Sequence, residues 1–446
     1  MKKSIIAVIV LVVCVVVVAA AAMILFDGGN KGGHTIGSNS DAVDLIYDLD
    51  NGEYERVNEA MNDEMRSRFS AEETEAVWKE QTEGLGAFES VEMMEVTEEE
   101  DGTRIDLYCA FEFGGKKVSI IVDETGHISD LLFEDYEQDL FDTIPEGLKE
   151  VGVKVNAGGK WELDGKITMG AGGQSDTAVI IVHGSGPSNM DGTVGSTRIY
   201  RDISWGLAQY GIDVLRYDKR TYVYGFLSAD NIEKLTVKEE TMDDAIAAAE
   251  MMKLRGYERV FLLGHSMGGM LAPAIVEESN GLFDGFISLA GSPRTLPEIQ
   301  ADQNLAAATP QNSALVNLFV AMELAKLEQI DSWTESELLS KTIFGLPAYY
   351  VKDMISRDAG KIAASLDVPM LFLQGSADFQ VYAEKDFKKW QEILDGKEKV
   401  GFKLYNGLNH LFMVSQGDDA GTTDEYKLKG HVSRNVFRDI AEFISG

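Results

Sequence analysis

The chain opens on an apolar run, Ile5 to Phe26, that follows Lys2-Lys3 and holds no charged residue in 22 positions. As a helix it would extend roughly 33 Å at about 1.5 Å per residue, enough to cross a bilayer. The following stretch, Asp27 to Ser40 (DGGNKGGHTIGSNS), has almost no apolar positions and predicts a flexible stalk, in which His34 is solvated. Apolar residues then recur at spacings of three and four over Ala42 to Met61 and Ala71 to Leu85, which predicts helices. Alternating or continuous apolar stretches at Phe88 to Val96, Thr103 to Phe113, Lys116 to Val122 and His127 to Glu134 predict strands. The turns Phe113-Gly114-Gly115-Lys116 and Asp123-Glu124-Thr125-Gly126 join them as hairpins. Helices followed by an antiparallel sheet make a small α+β domain.

From Leu148 the pattern becomes an alternation of strands and helices. An opening hairpin, Glu150 to Val155 and Trp161 to Met169, precedes the apolar run Thr177 to Val182. Helix Tyr200 to Tyr210, strand Asp213 to Tyr217, helix Glu239 to Leu254 and strand Arg259 to Leu263 come next. Strand Gly285 to Ala290, strand Pro369 to Gln374, helix Val381 to Leu394, strand Val400 to Tyr405 and helix Val432 to Ile444 complete the series. Repeated βα units predict a mostly parallel sheet with helices on both faces. Between Ala290 and Pro369 the alternation lapses, and helical patterns occupy Ser313 to Gln329, Thr334 to Ser340 and Leu346 to Arg357. An insertion of that length is expected to be a lid over the C-terminal strand ends rather than a loop. Its Phe319, Leu324, Phe344, Tyr349 and Tyr350 are expected to shape an acyl or aryl pocket.

Charge sharpens this division. The formal net charge is −34, and Asp41 to Glu150 alone holds 33 acidic against 8 basic residues, so the small domain has an acidic, solvated exterior. Nucleic-acid phosphate and anionic membrane surfaces are thereby excluded as partners; the membrane is met only through the N-terminal helix. With lysines only on the short N-terminal side, that end is expected in the cytoplasm and the body outside, as a single-pass protein. The rival reading is a signal peptide cleaved near Ala19 to Ala22 and a secreted product. Against it, the apolar run exceeds the usual length of about 7–15 residues. Two cysteines, Cys14 in the apolar run and Cys109 in a strand, build no disulfide framework, and Cys109 is expected in the core.

The candidate chemistry sits at strand ends. Leu263-Gly264-His265-Ser266-Met267-Gly268-Gly269 is a Gly-x-Ser-x-Gly elbow directly after an apolar strand and before a helical stretch. Gly264 and Gly268 let strand and helix approach, which leaves Ser266 exposed as a nucleophile. Gly375-Ser376-Ala377-Asp378 follows a later strand, and Asn406-Gly407-Leu408-Asn409-His410 follows the last one. Asp378 can orient an imidazole, and His410 can take the proton of Ser266 and return it to a leaving group. Asp386 is the nearby alternative carboxylate, expected on a helix surface. A third strand end, His183-Gly184-Ser185-Gly186-Pro187, can turn amides towards a developing negative charge, so the Ser185 and Met267 N–H groups are the expected oxyanion donors, with His183 and Gly184 supporting the loop. His265 within the elbow is expected to pack. No Cys-x-x-Cys, His-Glu-x-x-His or dinucleotide fingerprint is present, so neither metal nor cofactor is expected.

The order Ser266, Asp378, His410, together with His183-Gly184-Ser185-Gly186-Pro187, Leu215-Arg216-Tyr217-Asp218-Lys219-Arg220 and Met270-Leu271-Ala272-Pro273, resembles an α/β-hydrolase of the esterase/lipase superfamily. Dienelactone-hydrolase-like and cinnamoyl-esterase-like enzymes are the nearest in kind. Relatives often continue the His-Gly-Ser-Gly-Pro loop with an Asp-Arg-Asp-Glu-like run, where this chain has Ser188-Asn189-Met190-Asp191-Gly192. Arg216, Asp218, Lys219 and Arg220 are most simply a salt-linked structural corner. The acidic domain resembles DUF3887, a cone-shaped fold like that of nuclear transport factor 2. The expected organisation is an anchor or signal segment at 1–27, a linker at 28–40, the small domain at 41–140 and an α/β-hydrolase domain of eight strands at 148–446, its lid at about 293–366. The expected activity is that of an extracytoplasmic serine hydrolase acting on small carboxylic esters. The same triad would serve a thioesterase, an acyltransferase or a peptidase, and a degenerate hydrolase carrying a ligand-binding domain is the non-enzymatic alternative.

Overall fold

The computed structural model describes residues 35–99, 101–136, 143–156, 158–309 and 311–446. The expected anchor and the stalk as far as His34 lie outside the described residues. Within them, no helix is long and apolar enough to cross a membrane.

The small unit begins with helices α1 (Asn39–Asn51), α2 (Tyr54–Ala60), α3 (Asp63–Arg68) and α4 (Ala71–Gln81). The single helix expected over Ala42 to Met61 is broken at Gly52, whose φ of 82° turns the chain into the left-handed region at the end of α1. Glycine adopts that conformation without a Cβ penalty, so it stops the helix where periodicity alone would carry on. The stalk ends earlier than its composition suggests. Ile36 is buried and donates its N–H to the Gly126 carbonyl at 2.7 Å, and Ser38 caps α1 in a reciprocal box with Asp41. Strands β1 (Phe88–Glu99), β2 (Gly102–Phe111), β3 (Gly114–Asp123) and β4 (Ile128–Tyr136) follow as an antiparallel meander. Cys109 lies in its core, fully buried.

The large unit is built on β5 (Lys149–Val155), β6 (Leu163–Met169), β7 (Thr177–Val182), β8 (Asp213–Tyr217), β9 (Arg259–His265), β10 (Gly285–Leu289), β11 (Met370–Gly375) and β12 (Val400–Tyr405). Their spatial order is β12-β11-β10-β9-β7-β8-β6-β5. From β12 to β8 neighbours run parallel, whereas β8/β6 and β6/β5 are antiparallel. Every residue of β7 and β10 is buried, as expected of strands covered on both faces. Helices α5 (Ile199–Gln209), α6 (Asp243–Leu254), α7 (Met267–Glu278), α13 (Lys388–Ile393) and α14 (Arg434–Ser445) supply that cover. The chain leaves β7 towards β8 on one side, and β9 pairs with β7 on the other. That reversal opens a crevice at the C-terminal ends of β7 and β9.

Between β10 and β11 the insertion forms α8 (Leu296–Ala306), α9 (Ser313–Gln329), α10 (Glu335–Ser340), α11 (Ala348–Ile355) and α12 (Ala359–Ser365). It has an apolar core of its own, made by Ala301, Val320, Ile330, Ile343, Phe344, Leu346 and Val351 with Leu324 packed against it. Phe319 meets Phe344 edge-on at 5.7 Å. Leu324 and Phe344 therefore belong to the insertion's own core, whereas Phe319, which touches Phe344, stays 44% exposed. Tyr350 does reach the elbow, with its hydroxyl 3.5 Å from the Met267 sulfur.

The two units share one core. A continuous cluster runs from Ile46, Leu107 and Ile120 of the small unit to Ile203, Phe437 and Ile440 of α5 and α14. The edge of β1 also meets the segment that follows β12. Gln416 accepts the Val91 N–H at 2.6 Å and donates to the Val91 carbonyl, His431 N–H reaches the Glu92 carbonyl at 2.8 Å, and Ser433 donates to the Met94 carbonyl at 2.7 Å. An edge strand with unpaired backbone groups is a liability in water, and here polar groups of the neighbouring unit satisfy it.

Candidate active site

Ser266 follows β9 with φ 54° and ψ −117°, a conformation that costs a non-glycine residue energy unless its surroundings enforce it. Here the Ser266 N–H donates to the Leu289 carbonyl at 2.8 Å, and its carbonyl accepts from Met270 at 3.0 Å. The flanking glycines are required by close approach. A Cβ on Gly264 would lie 2.2 Å from the Gly268 carbonyl oxygen, and one on Gly268 would lie 2.4 Å from that of Val182. Helix α7 starts at Met267, so the Met267 amide has no acceptor within the helix and stands at the positive end of its dipole.

The β11 and β12 ends are zipped together. Ala377 N–H donates to the Leu408 carbonyl at 3.0 Å, Gly407 N–H donates to Ser376 Oγ at 2.9 Å, and a Cβ on Gly375 would lie 2.1 Å from the Leu408 oxygen. That places Asp378 against His410, with Oδ2 2.7 Å from Nδ1. Both side chains are almost wholly buried. The carboxylate accepts three more hydrogen bonds: Gln374 Nε2 at 2.8 Å on Oδ2, and the Gln380 and Val381 N–H groups at 2.8 and 2.9 Å on Oδ1. Nδ1 of His410 being engaged, Nε2 is the nitrogen available for proton transfer. The Asn409 side chain shapes the turn by accepting from Leu411 and Met413, and it donates to Glu425 at 2.7 Å. Asp386, expected at a surface, is fully buried instead. It binds both Nε and Nη2 of Arg294 at 2.8 Å and accepts from Ser292, which removes it from competition for His410.

Gly184 has both polar backbone groups taken up by buried side chains. Its N–H donates to Tyr200 Oη at 3.1 Å, and its carbonyl accepts from Lys219 Nζ at 2.8 Å. A Cβ on Gly184 would stand 3.2 Å from the Ser266 Cβ, so this loop passes directly beside the serine. Ser185 is exposed, and among the described residues its N–H has no hydrogen-bond acceptor. His183 supports the loop by bonding the Tyr217 backbone, between the rings of Tyr200 and Tyr217 at 5.3 and 5.1 Å. Burial, reinforced by the Lys219 charge, pushes its imidazole down to about 3, so it is neutral.

His265 does more than pack. Its Nε2 is 3.0 Å from the His410 carbonyl oxygen, and its Nδ1 is 3.3 Å from Tyr200 Oη. A carbonyl only accepts, so Nε2 carries the proton and Tyr200 donates to Nδ1. Burial and neighbouring His410 push His265 down to about 3, in agreement with a neutral ring. Of these contacts, the roles of Tyr200, Gln374 and Asn409 had no signal in the sequence. Lys219 and Arg220 were expected as an ionic corner, and they pair with Glu240 at 3.0 Å and Asp244 at 2.5 Å. Among the described residues no group of three or more His, Cys, Asp or Glu side chains is placed to hold a metal ion. A serine on a strained turn, an imidazole backed by a carboxylate and an amide-lined loop can together carry out acyl transfer.

The family model described as "Serine aminopeptidase, S33" matches residues 173–416, and the model "Protein of unknown function (DUF3887)" matches 42–131. Esterase EstD of Thermotoga maritima is 32% identical over 407 residues, which cover 90% of this chain and 93% of that protein. Human monoglyceride lipase is 28% identical over 195 residues, 42% of this chain and 58% of the lipase. Among solved structures, Est1E from Butyrivibrio proteoclasticus is 16% identical with a TM-score of 0.42, covering 66% of this chain and 99% of its own. The chain thus belongs to the serine aminopeptidase S33 family, as a serine hydrolase of α/β-hydrolase fold preceded by a DUF3887 domain.

Proposed function

We propose that this protein hydrolyses small carboxylic esters outside the cytoplasm through Ser266, His410 and Asp378. The observation that carries the reading is the buried Asp378–His410 pair, 2.7 Å long, tied through the His410 carbonyl to His265, the residue that precedes Ser266. Ser266 Oγ attacks the ester carbonyl carbon while its proton passes to His410 Nε2, and the oxyanion takes hydrogen bonds from the Ser185 and Met267 N–H groups. The alcohol then leaves with the proton from His410. Water, deprotonated by the same nitrogen, attacks the acyl-enzyme, and return of that proton to Ser266 Oγ frees the acid and restores the serine. Asp378 holds the Nδ1–H tautomer throughout and stabilises the imidazolium. Preference for an ester over an amide is supported by the likeness to EstD, which extends through the small domain as well.

Substituting Ser266→Ala in the purified protein tests the nucleophile. Turnover of p-nitrophenyl esters is expected to fall by about 10³-fold or more, with loss of fluorophosphonate labelling. Unchanged turnover overturns the assignment. Placement outside the cytoplasm rests on the apolar run Ile5 to Phe26 behind Lys2-Lys3. Carbonate-resistant membrane association and digestion by protease added to spheroplasts are expected, and recovery in the cytosolic fraction overturns it.

A further inference from the structure

Lys219 has a surrounding that an ionic corner does not explain. Its side chain is 2% exposed, and its ammonium is shared between the Glu240 carboxylate at 3.0 Å and the Gly184 carbonyl oxygen at 2.8 Å. Glu240 in turn accepts from the hydroxyl of Tyr350, the residue of α11 that touches Met267. A buried ion pair contributes little net stability over an apolar pair of equal volume. What an apolar pair would not supply is a positive charge on the Gly184 oxygen.

That oxygen belongs to the peptide whose N–H is Ser185. The described residues contain no cis peptide bond, and in a trans peptide the carbonyl and the N–H point in opposite directions. With the carbonyl bound to buried Lys219, the Ser185 N–H points the opposite way, away from that ion pair, on an exposed residue of the loop that passes beside Ser266. A cation on the carbonyl oxygen also withdraws electron density from the amide nitrogen and strengthens its N–H as a donor. We infer that Lys219 is a positioning residue for the oxyanion hole, holding and polarising the Gly184–Ser185 peptide, and that Glu240 and Tyr350 connect this grip to the lid. The inference rests on the acyl-transfer reading above and names the device that forms its anion site.

The test compares Lys219→Met, Lys219→Gln and Lys219→Arg. The two neutral variants are made together with Glu240→Gln, so that no buried carboxylate is left unpaired. Glu240→Gln alone, which keeps the ammonium on Gly184, is the reference. With p-nitrophenyl ester, kcat is expected to fall about 30- to 100-fold in the Met variant and about 10-fold in the Gln variant, with KM within about two-fold. Lys219→Arg is expected to stay within about five-fold of the wild type. Affinity for a trifluoromethyl ketone, which forms a tetrahedral adduct on the serine, is expected to fall in proportion to kcat. A kcat within about three-fold of the reference, or a lower kcat at unchanged ketone affinity, overturns the inference. Should the Met variant not fold, the Gln variant carries the same two readouts. Loss of activity in Ser266→Ala beside full activity in the Lys219 variants refutes this inference alone, whereas an active Ser266→Ala refutes the function reading itself.

Discussion

The ring of His265 donates from Nε2 to the backbone carbonyl of His410 across 3.0 Å, so the residue before the elbow serine holds the turn that carries His410. Tyr200 completes the link from the other side by donating to Nδ1 and accepting from the Gly184 N–H. Three loops from three strand ends are thereby joined through two neutral rings. His265→Phe keeps an aromatic ring and removes both hydrogen bonds. It is expected to lower stability by about 1–3 kcal/mol, because two buried polar groups lose partners, and to lower kcat by about ten-fold. Urea unfolding and ester turnover of the purified variant check both, and wild-type values in both would refute the link.

Asp378 receives four hydrogen bonds, of which one comes from His410. Asp378→Asn can keep the shape of the loop but presents an amide to Nδ1, which favours the wrong tautomer. A fall in kcat of about 10³- to 10⁴-fold is expected with KM little changed. If Asp386→Asn instead gives the greater loss of kcat in a folded protein, the carboxylate has been misassigned.

The two buried histidines set an acid limit on stability. His183 and His265 both have folded values near 3 against an ordinary 6.5, so the unfolded chain binds protons first as the pH falls. Their contribution is fully present above about 6.5 and is lost as the pH drops from there towards 3. At pH 5 each is expected to cost about 2 kcal/mol relative to pH 8. Urea unfolding of wild type and His183→Asn/His265→Gln at the two pH values checks this. The variant is expected to show the shallower pH dependence, and equal slopes would refute the assignment.

Gln416 binds both backbone groups of Val91 and so docks the segment after His410 on the edge of the small unit. Gln416→Ala is expected to cost about 1–3 kcal/mol and to expose residues 411–433 to protease. Limited proteolysis with mass mapping reads this out. Cleavage no faster than in the wild type would show that the small unit does not restrain the segment that follows His410.

Gly268→Ala tests the elbow's packing. The added Cβ would stand 2.4 Å from the Val182 oxygen, a contact that only backbone movement relieves. A loss of about 2–3 kcal/mol is expected in thermal or urea unfolding, together with a large fall in kcat, and a wild-type melting curve would contradict it.

Much of this was legible along the chain because it depends on local pattern. The run Thr177–Val182 has strand limits that match its apolar span, since burial on both faces leaves a continuous apolar signal, and the limits Asp213–Tyr217 and Val400–Tyr405 match as well, although the latter is a partly exposed edge strand. Helix limits were harder to read. Gly52 ends α1 inside an uninterrupted periodic stretch, and the predicted helices at Glu239 and Val381 begin as π turns, Lys238–Met242 and Ala383–Phe387. In the second of these, Asp386 faces inward to Arg294, which lies 92 positions away in sequence, so no local signal distinguishes it from a surface residue.

The types and order of Ser266, Asp378 and His410, and the glycines around the serine, follow from sequence because strand ends and tight turns impose their residues locally. The pairing of Asp378 with His410 rather than another carboxylate, the Tyr200–His265–His410 link and the hold of Lys219 on Gly184 were decided only by the tertiary structure. Each joins residues 32 to 145 positions apart. Distance and direction in space make that choice, and neither is written in the periodicity of a chain.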